Sequence, residues 1–177
     1  IKKGILFAPH PAFAKNEKGE YVNHALAPEV IDQLHNPMDL PQKGTRELTA
    51  EDFVYSIKRM ANPRIIAPVY GTMVNYLPGL KDFAVQVRAE DKRLRADLKP
   101  SDRDLPFLDL RKFELKGVSA PDKYTLRLEV KGKYPQFPNW LAMTFFAPVP
   151  WEAEAFYAQK GMAKNNLSLN YWPVGTG

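Results

Sequence analysis

The sequence predicts an α+β chain, an antiparallel β-hairpin or small sheet packed with helices. Three observations predict it. Thr49 to Met60 carries apolar residues at helical spacing behind a capping residue. Two stretches between Phe113 and Val130 alternate apolar and polar residues about a Pro121-Asp122 turn. Strand-like and helix-like segments also fail to alternate regularly, as a parallel sheet would require. At 177 residues the chain is long enough to bury about 70% of its unfolded surface, so a core needs no covalent staples.

Taken in order, Ile5, Leu6 and Phe7 follow Gly4 as a short apolar run that reads as a strand over Ile1 to Ala8, ended by Pro9-His10-Pro11. Residues 14 to 46 are polar and broken by Pro28, Pro37, Pro41 and Gly44, with room for one short helix at Pro28 to Leu34. A connection this long without regular structure reads as an insertion packed on a surface. Thr49 then caps a helix, Asp52 stands three residues on as the carboxylate of a capping box, and Phe53, Val54, Ile57 and Met60 form its stripe until Asn62-Pro63 stops it. Tyr70 to Leu77 has no clear period. Pro78 to Leu98 reads as a second helix with Phe83, Val87 and Leu94 on one side and Asp82, Glu90, Asp91, Lys92, Arg93 and Arg95 around the rest.

The hairpin follows, with Phe113, Leu115 and Val118 on one strand, Tyr124, Leu126, Leu128 and Val130 on the other, and Ser119 to Lys123 between them. Short helices are predicted over Pro135 to Met143 and Trp151 to Lys160, the latter with Pro150 at its start and Gly161 beyond its end. Asn165 to Gly177 reads as loop and an exit strand. The sequence opens on Ile1 and closes on the turn-like Pro173-Val174-Gly175-Thr176-Gly177, so it reads as a segment of a longer protein.

Composition narrows the function classes. Hydrophobic residues are 45% and charged residues 25%, and the most apolar window, Trp140 to Trp151, is short and broken by Pro148 and Pro150, so no membrane insertion is expected. The net charge of +5 is modest, and the densest charged window, Leu80 to Asp104, nearly cancels itself. Nucleic-acid binding would need that charge gathered on one face and is not expected. With no cysteine there is no disulfide, thiolate nucleophile or cysteine metal site.

Catalytic groupings do not emerge. His10, His24 and His35 lie too far apart for the close ligand pair of a metal site, so no metal is expected. Ser56, Ser101, Ser119 and Ser168 lack a nucleophile elbow. Glu51 and Asp52 sit in the first turn of a capped helix, where the dipole favours negative charge for structural reasons. Gly175-Thr176-Gly177 is too little for a phosphate loop and reads as a turn or hinge. Aromatic residues, 12% of the chain, either fill the core or line a cleft; Tyr70, Tyr76, Trp140, Phe145, Phe146, Trp151, Tyr171 and Trp172 gather near prolines.

Four stretches in order carry a resemblance. Gly44-Thr45-Arg46-Glu47-Leu48-Thr49-Ala50-Glu51-Asp52-Phe53, running on to Asn62-Pro63, is similar to the Gly-Thr turn and capped helix of the family 5 extracellular solute-binding proteins, the oligopeptide- and dipeptide-binding components of ABC importers. Val118-Ser119-Ala120-Pro121-Asp122-Lys123-Tyr124-Thr125-Leu126 resembles that family's hairpin, Ala147-Pro148-Val149-Pro150 its approach to a helix, and Pro173 to Gly177 its return strand. Ile1 to Phe7 resembles a family strand, while Ala8 to Lys43 departs from the pattern as an insertion.

The resemblance implies a single subdomain, residues 1–177, of a bilobed type II periplasmic-binding-protein fold. It implies a periplasmic or cell-surface protein that captures peptides or related small solutes and delivers them to permease subunits, with no cofactor and no enzymatic step. It points to Tyr70 and, less directly, Tyr76 as ligand-binding aromatics, and to Gly175 and Gly177 as the place where the chain returns to the main lobe. Two rival readings make distinct predictions. A structural or dimerisation module would expose a large apolar patch. A small hydrolase or transferase would converge a nucleophile and a base in a pocket.

Overall fold

The computed structural model describes residues 1–99, 101–102 and 104–176. Among them are six helices, α1 (Pro28–Gln33), α2 (Ala50–Arg59), α3 (Tyr70–Tyr76), α4 (Leu80–Leu94), α5 (Phe137–Trp140) and α6 (Trp151–Tyr157), and two strands, β1 (Val118–Asp122) and β2 (Thr125–Leu128). The strands pair antiparallel, so the α+β expectation holds as a small two-stranded sheet with helices. The backbone divides into two compact units. The first comprises Ile1–Lys3, Thr49–Arg93 and Asp109–Val149; the second comprises Gly4–Leu48, Leu94–Leu108 and the residues from Pro150 on.

In the first unit α2 is built as its sequence demands. The Thr49 backbone N–H donates to the Asp52 carboxylate at 2.8 Å, closing a capping box, and acidic Glu51 and Asp52 at one end face basic Lys58 and Arg59 at the other. Val54, Ile57 and Met60 are buried and Phe53 half-buried. The burial of Tyr55 and Ser56 was not foreseen; α2 packs on both strands and on Thr144–Phe146, which widens its covered arc beyond one stripe.

The hairpin lies further along than the sequence suggests. Residues 113–117 form no strand; of the residues expected as the turn, Ser119 to Lys123, the first four lie in β1, and the turn is Lys123-Tyr124. Asp122 sets it, since its carboxylate accepts the Tyr124 N–H at 2.8 Å. Pro121 fits inside β1 because the register is irregular between Ser119 and Asp122, so its missing N–H costs no ladder bond. The predicted alternation along β2 holds, with Leu126 and Leu128 half-buried and Thr125 and Arg127 exposed.

The segment without a visible period, Tyr70 to Leu77, contains α3, which buries Met73 completely. α4 is shorter than Pro78 to Leu98, and Phe83 and Val87 are buried as expected while Leu94 is only half-buried. Asp91, placed on the solvent side from sequence, is buried; Arg64 Nε reaches its carboxylate at 2.6 Å, and that partner lies 27 residues away, beyond any helical pattern. α5 occupies only the middle of Pro135 to Met143.

The run read as a strand over Ile1 to Ala8 turns at Lys3-Gly4, and its part in the second unit, from Gly4 on, forms no continuous strand. Phe7 N donates to Arg46 O at 3.0 Å and Leu48 N to Ile5 O at 2.8 Å, with isolated bridges Leu6–Glu47 and His10–Gly44. Pro9 and Pro11 withhold the donors a longer ladder would use. The stretch from Ala8 to Lys43 is not merely surface: Ala12, Ile31, Leu34 and Leu40 form the core of this unit with Phe156, Tyr157, Met162 and Leu167. Its apolar residues are sparse and separated by prolines, so they leave no periodicity to read.

α1 matches its prediction, with Pro28 in its first turn. α6 ends at Tyr157 instead of Lys160, and the chain turns through Gly161, whose φ of +98° suits glycine. No strand forms over Asn165–Thr176. Arg46 and the buried Glu152 form a two-point ion pair, with Nε to Oε1 at 2.6 Å and Nη2 to Oε2 at 2.7 Å.

Candidate functional site

In the first unit, the end of α2, the loop after Asn62-Pro63 and the approach to Val149 enclose a cleft of about 160 Å³. Pro63 halts the helix and Asn62 Oδ1 accepts the Arg64 N–H at 2.9 Å, which turns the chain outward there. Met60, Ile65, Val69, Phe145 and Val149 supply apolar walls, and Arg59 supplies a cation. Ser56 lies on it too, but its hydroxyl donates to the Ala147 carbonyl at 2.6 Å, fastening α2 to the opposite wall. Ile66, also on the cleft, is 94% exposed. No imidazole or carboxylate lines it among the described residues, so it offers apolar contact and no acid–base pair.

The predicted ligand aromatics do not line this cleft. Tyr70 is half-buried at the first position of α3, and its neighbour Val69 is the residue that reaches the wall. Tyr76 ends α3 and stacks on Tyr134, ring centroids 4.3 Å apart and planes 20° from parallel. Trp140 Nε1 donates to the Tyr134 hydroxyl at 2.7 Å, and Lys131 N donates to the Tyr76 carbonyl at 2.8 Å. These bonds tie the loop after β2 to the end of α3. Tyr70 and Tyr76 are therefore brought to one helix but to different surroundings.

Below α2, Lys58 donates to the Phe113 carbonyl at 2.7 Å with its ammonium over the Phe83 ring. Burial pulls this ammonium below its ordinary range, against the opposing pull of Glu51, Asp109 and Glu114. It is a packed cation and stands outside the cleft.

The second unit holds Gly175, exposed, whose carbonyl accepts the Ala8 N–H at 2.8 Å; Gly177 lies outside the described residues. Close by in sequence, Trp172 O accepts the Tyr157 hydroxyl at 3.1 Å, and Tyr157 Oη lies 3.0 Å from His10 Nε2. His10 and Tyr157 are 147 residues apart, so no local pattern could have joined them. Burial lowers the His10 imidazole from 6.5 to about 4 and raises the Tyr157 phenol well above its ordinary value. The histidines show no metal-ligand grouping, and no cluster of three potential ligands occurs among the described residues. No helix among the described residues is long and apolar enough to cross a membrane.

Residues 43–177 match the family model described as bacterial extracellular solute-binding proteins, family 5 Middle. No curated protein and no solved structure matches the chain.

Proposed function

Since the chain belongs to the bacterial extracellular solute-binding proteins of family 5, we propose that it is part of a carrier that captures peptides or related small solutes outside the cytoplasmic membrane and hands them to ABC permease subunits. The family binds solutes without breaking bonds. The observation that carries the reading is the continuous match over residues 43–177, which spans the capped α2, the hairpin and the residues leading to Gly175. In this reading residues 1–177 form one subdomain of a bilobed type II protein, 8–43 is an insertion, and closure of two lobes on solute supplies the signal for delivery.

Tyr70 is the proposed solute-facing aromatic and Tyr76 the second, with Gly175 and Gly177 at the return to the main lobe. Half-burial at the start of α3 leaves the Tyr70 ring partly open to a solute. Native mass spectrometry of the longest natural form tests the carrier reading: a co-purifying mass of a few hundred daltons, lost on unfolding, supports it. A peptide panel should also raise thermal stability, by about 2.7 kcal/mol at a hundredfold excess over Kd. Neither effect appearing would refute solute capture, and unchanged affinity in Tyr70→Ala would remove Tyr70 from the site.

One observation favours a second reading, an interaction module. Ile66, Leu141, Met143 and Phe145 are all exposed at 42% or more in the first unit. Sedimentation velocity distinguishes it: concentration-dependent self-association abolished by Ile66→Asp would select this reading over the carrier.

A further inference from the structure

His10, Tyr157 and Trp172 come from three separate stretches of the second unit and meet in one buried polar chain. The Ala12 N–H donates to His10 Nδ1 at 3.1 Å, so Nδ1 carries no proton. The Tyr157 hydroxyl gives its only proton to Trp172 O at 3.1 Å. The proton between His10 Nε2 and Tyr157 Oη, 3.0 Å apart, must then belong to Nε2. This fixes a neutral imidazole protonated on Nε2 alone. Besides the packing of Trp172 on the core and the burial of Val174, two bonds tie the strap Trp172–Gly175 to its surroundings: Tyr157 on its first carbonyl and the Ala8 N–H on its last, at 2.8 Å.

We infer that this chain is an acid-released latch, in which protonation of His10 frees the strap Trp172–Gly175 from the arm Ala8–Phe13. An added proton must go to Nδ1, where it meets the Ala12 N–H donor to donor. His10 is 6% exposed, with Phe156 edge-on at 5.5 Å and Tyr157 at 5.8 Å, so water solvates a cation there poorly.

Nor does any carboxylate among the described residues offset the burial of this imidazole. From α6 the polar group in contact with His10 is the neutral Tyr157 phenol; of that helix's carboxylates, Glu152 is engaged by Arg46 and the Tyr21 hydroxyl, and Glu154 is half-buried three residues before Tyr157. From the turn at Tyr21–His24, the imidazole of His24 contacts Ala12 O at 2.9 Å and adds no negative charge. Gly44, bridged to His10, brings no side chain. Burial is the sole cause of the lowered basicity of His10, to about 4, whereas a released imidazole titrates near 6.5. The cation therefore accumulates only in the open strap, and the opening constant should rise about tenfold between pH 7.5 and 5.5. The latch stands on this network alone, whether or not Gly175 is a hinge.

Amide hydrogen exchange by NMR on the full chain reads it through the Ala8 N–H, after correction for the intrinsic pH dependence. Ala8 protection should fall about tenfold from pH 7.5 to 5.5 and stay insensitive to low urea, as a local opening does, whereas the buried amide of Ile57 in α2 follows global unfolding and loses protection as urea is added. His10→Asn, whose side-chain oxygen can still cap Ala12 but does not titrate, should remove the pH step. Tyr157→Phe should lower Ala8 protection at pH 7.5. Flat protection in the natural chain, or an equal step in His10→Asn, overturns the latch. Should the variants not fold, ¹⁵N spectra of the natural imidazole decide: a His10 cation in the folded chain at pH 6 refutes the proposal, and a neutral Nε2-protonated ring there sustains it.

Discussion

Arg46 grips both carboxylate oxygens of Glu152 while its guanidinium lies over the rings of Phe7 and Phe13, 5.0 and 5.5 Å from their centroids. One cation thus joins the extended arm to α6 by charge and by packing. Glu152 is 2% exposed and Arg46 half-buried, so deleting the carboxylate takes a buried two-point partner from a partly desolvated cation. Glu152→Ala should cost about 3 kcal/mol in urea unfolding, and the double change Arg46→Met with Glu152→Leu should recover most of that loss.

Gly44 belongs to the Gly-Thr turn that carried the family resemblance, and the structure gives its reason. A Cβ there would stand 2.4 Å from Phe13 O, an atom of backbone that cannot swing aside. Gly44→Ala should lower stability by about 2 kcal/mol or more, read as a fall in denaturation midpoint without a change in slope.

The cap of α2 is a smaller, local device. Asp52→Ala removes the acceptor of the Thr49 N–H and should cost about 1 kcal/mol, whereas Asp52→Asn, which keeps an acceptor, should cost less. Urea unfolding of the two variants side by side checks the ordering.

Acid should weaken the folded chain through His10 in addition to its local effect on the strap. Its folded value, about 4, lies below the unfolded 6.5, so the folded state disfavours the cation. The stability this provides is fully present above pH 6.5 and is lost as pH falls toward 4, by at most about 3 kcal/mol. Asp122, held low chiefly by the Tyr124 N–H, adds its own loss only at lower pH. Urea unfolding at pH 7.5 and 4.5 should show a smaller difference in His10→Asn than in the natural chain.

How far the sequence could be read depended on how local the cause was. The α2 cap, the proline that opens α1 and the glycine beyond α6 act within one turn, and all three were legible. The hairpin was recognised but displaced, because Pro121 inside a strand is tolerated only through the irregular register at Ser119–Asp122, which no alternation rule encodes. α3 was missed because the only fully buried residue on it is Met73. At the cleft, Ser56 was weighed only as a nucleophile and Ile66 not at all, since their places depend on Ala147 and on the loop after Pro63. The His10 chain was beyond reach for the same reason, with its members far apart in the chain.

That separation also has a cost during synthesis. Ala12, Ile31, Leu34 and Leu40 leave the ribosome well before their core partners Phe156, Tyr157, Met162 and Leu167 exist. At ordinary elongation rates the wait is on the order of ten seconds. Throughout it Ala12, Ile31, Leu34 and Leu40 have only one another to bury against, which leaves this apolar surface open to neighbouring chains until α6 and the residues after it arrive.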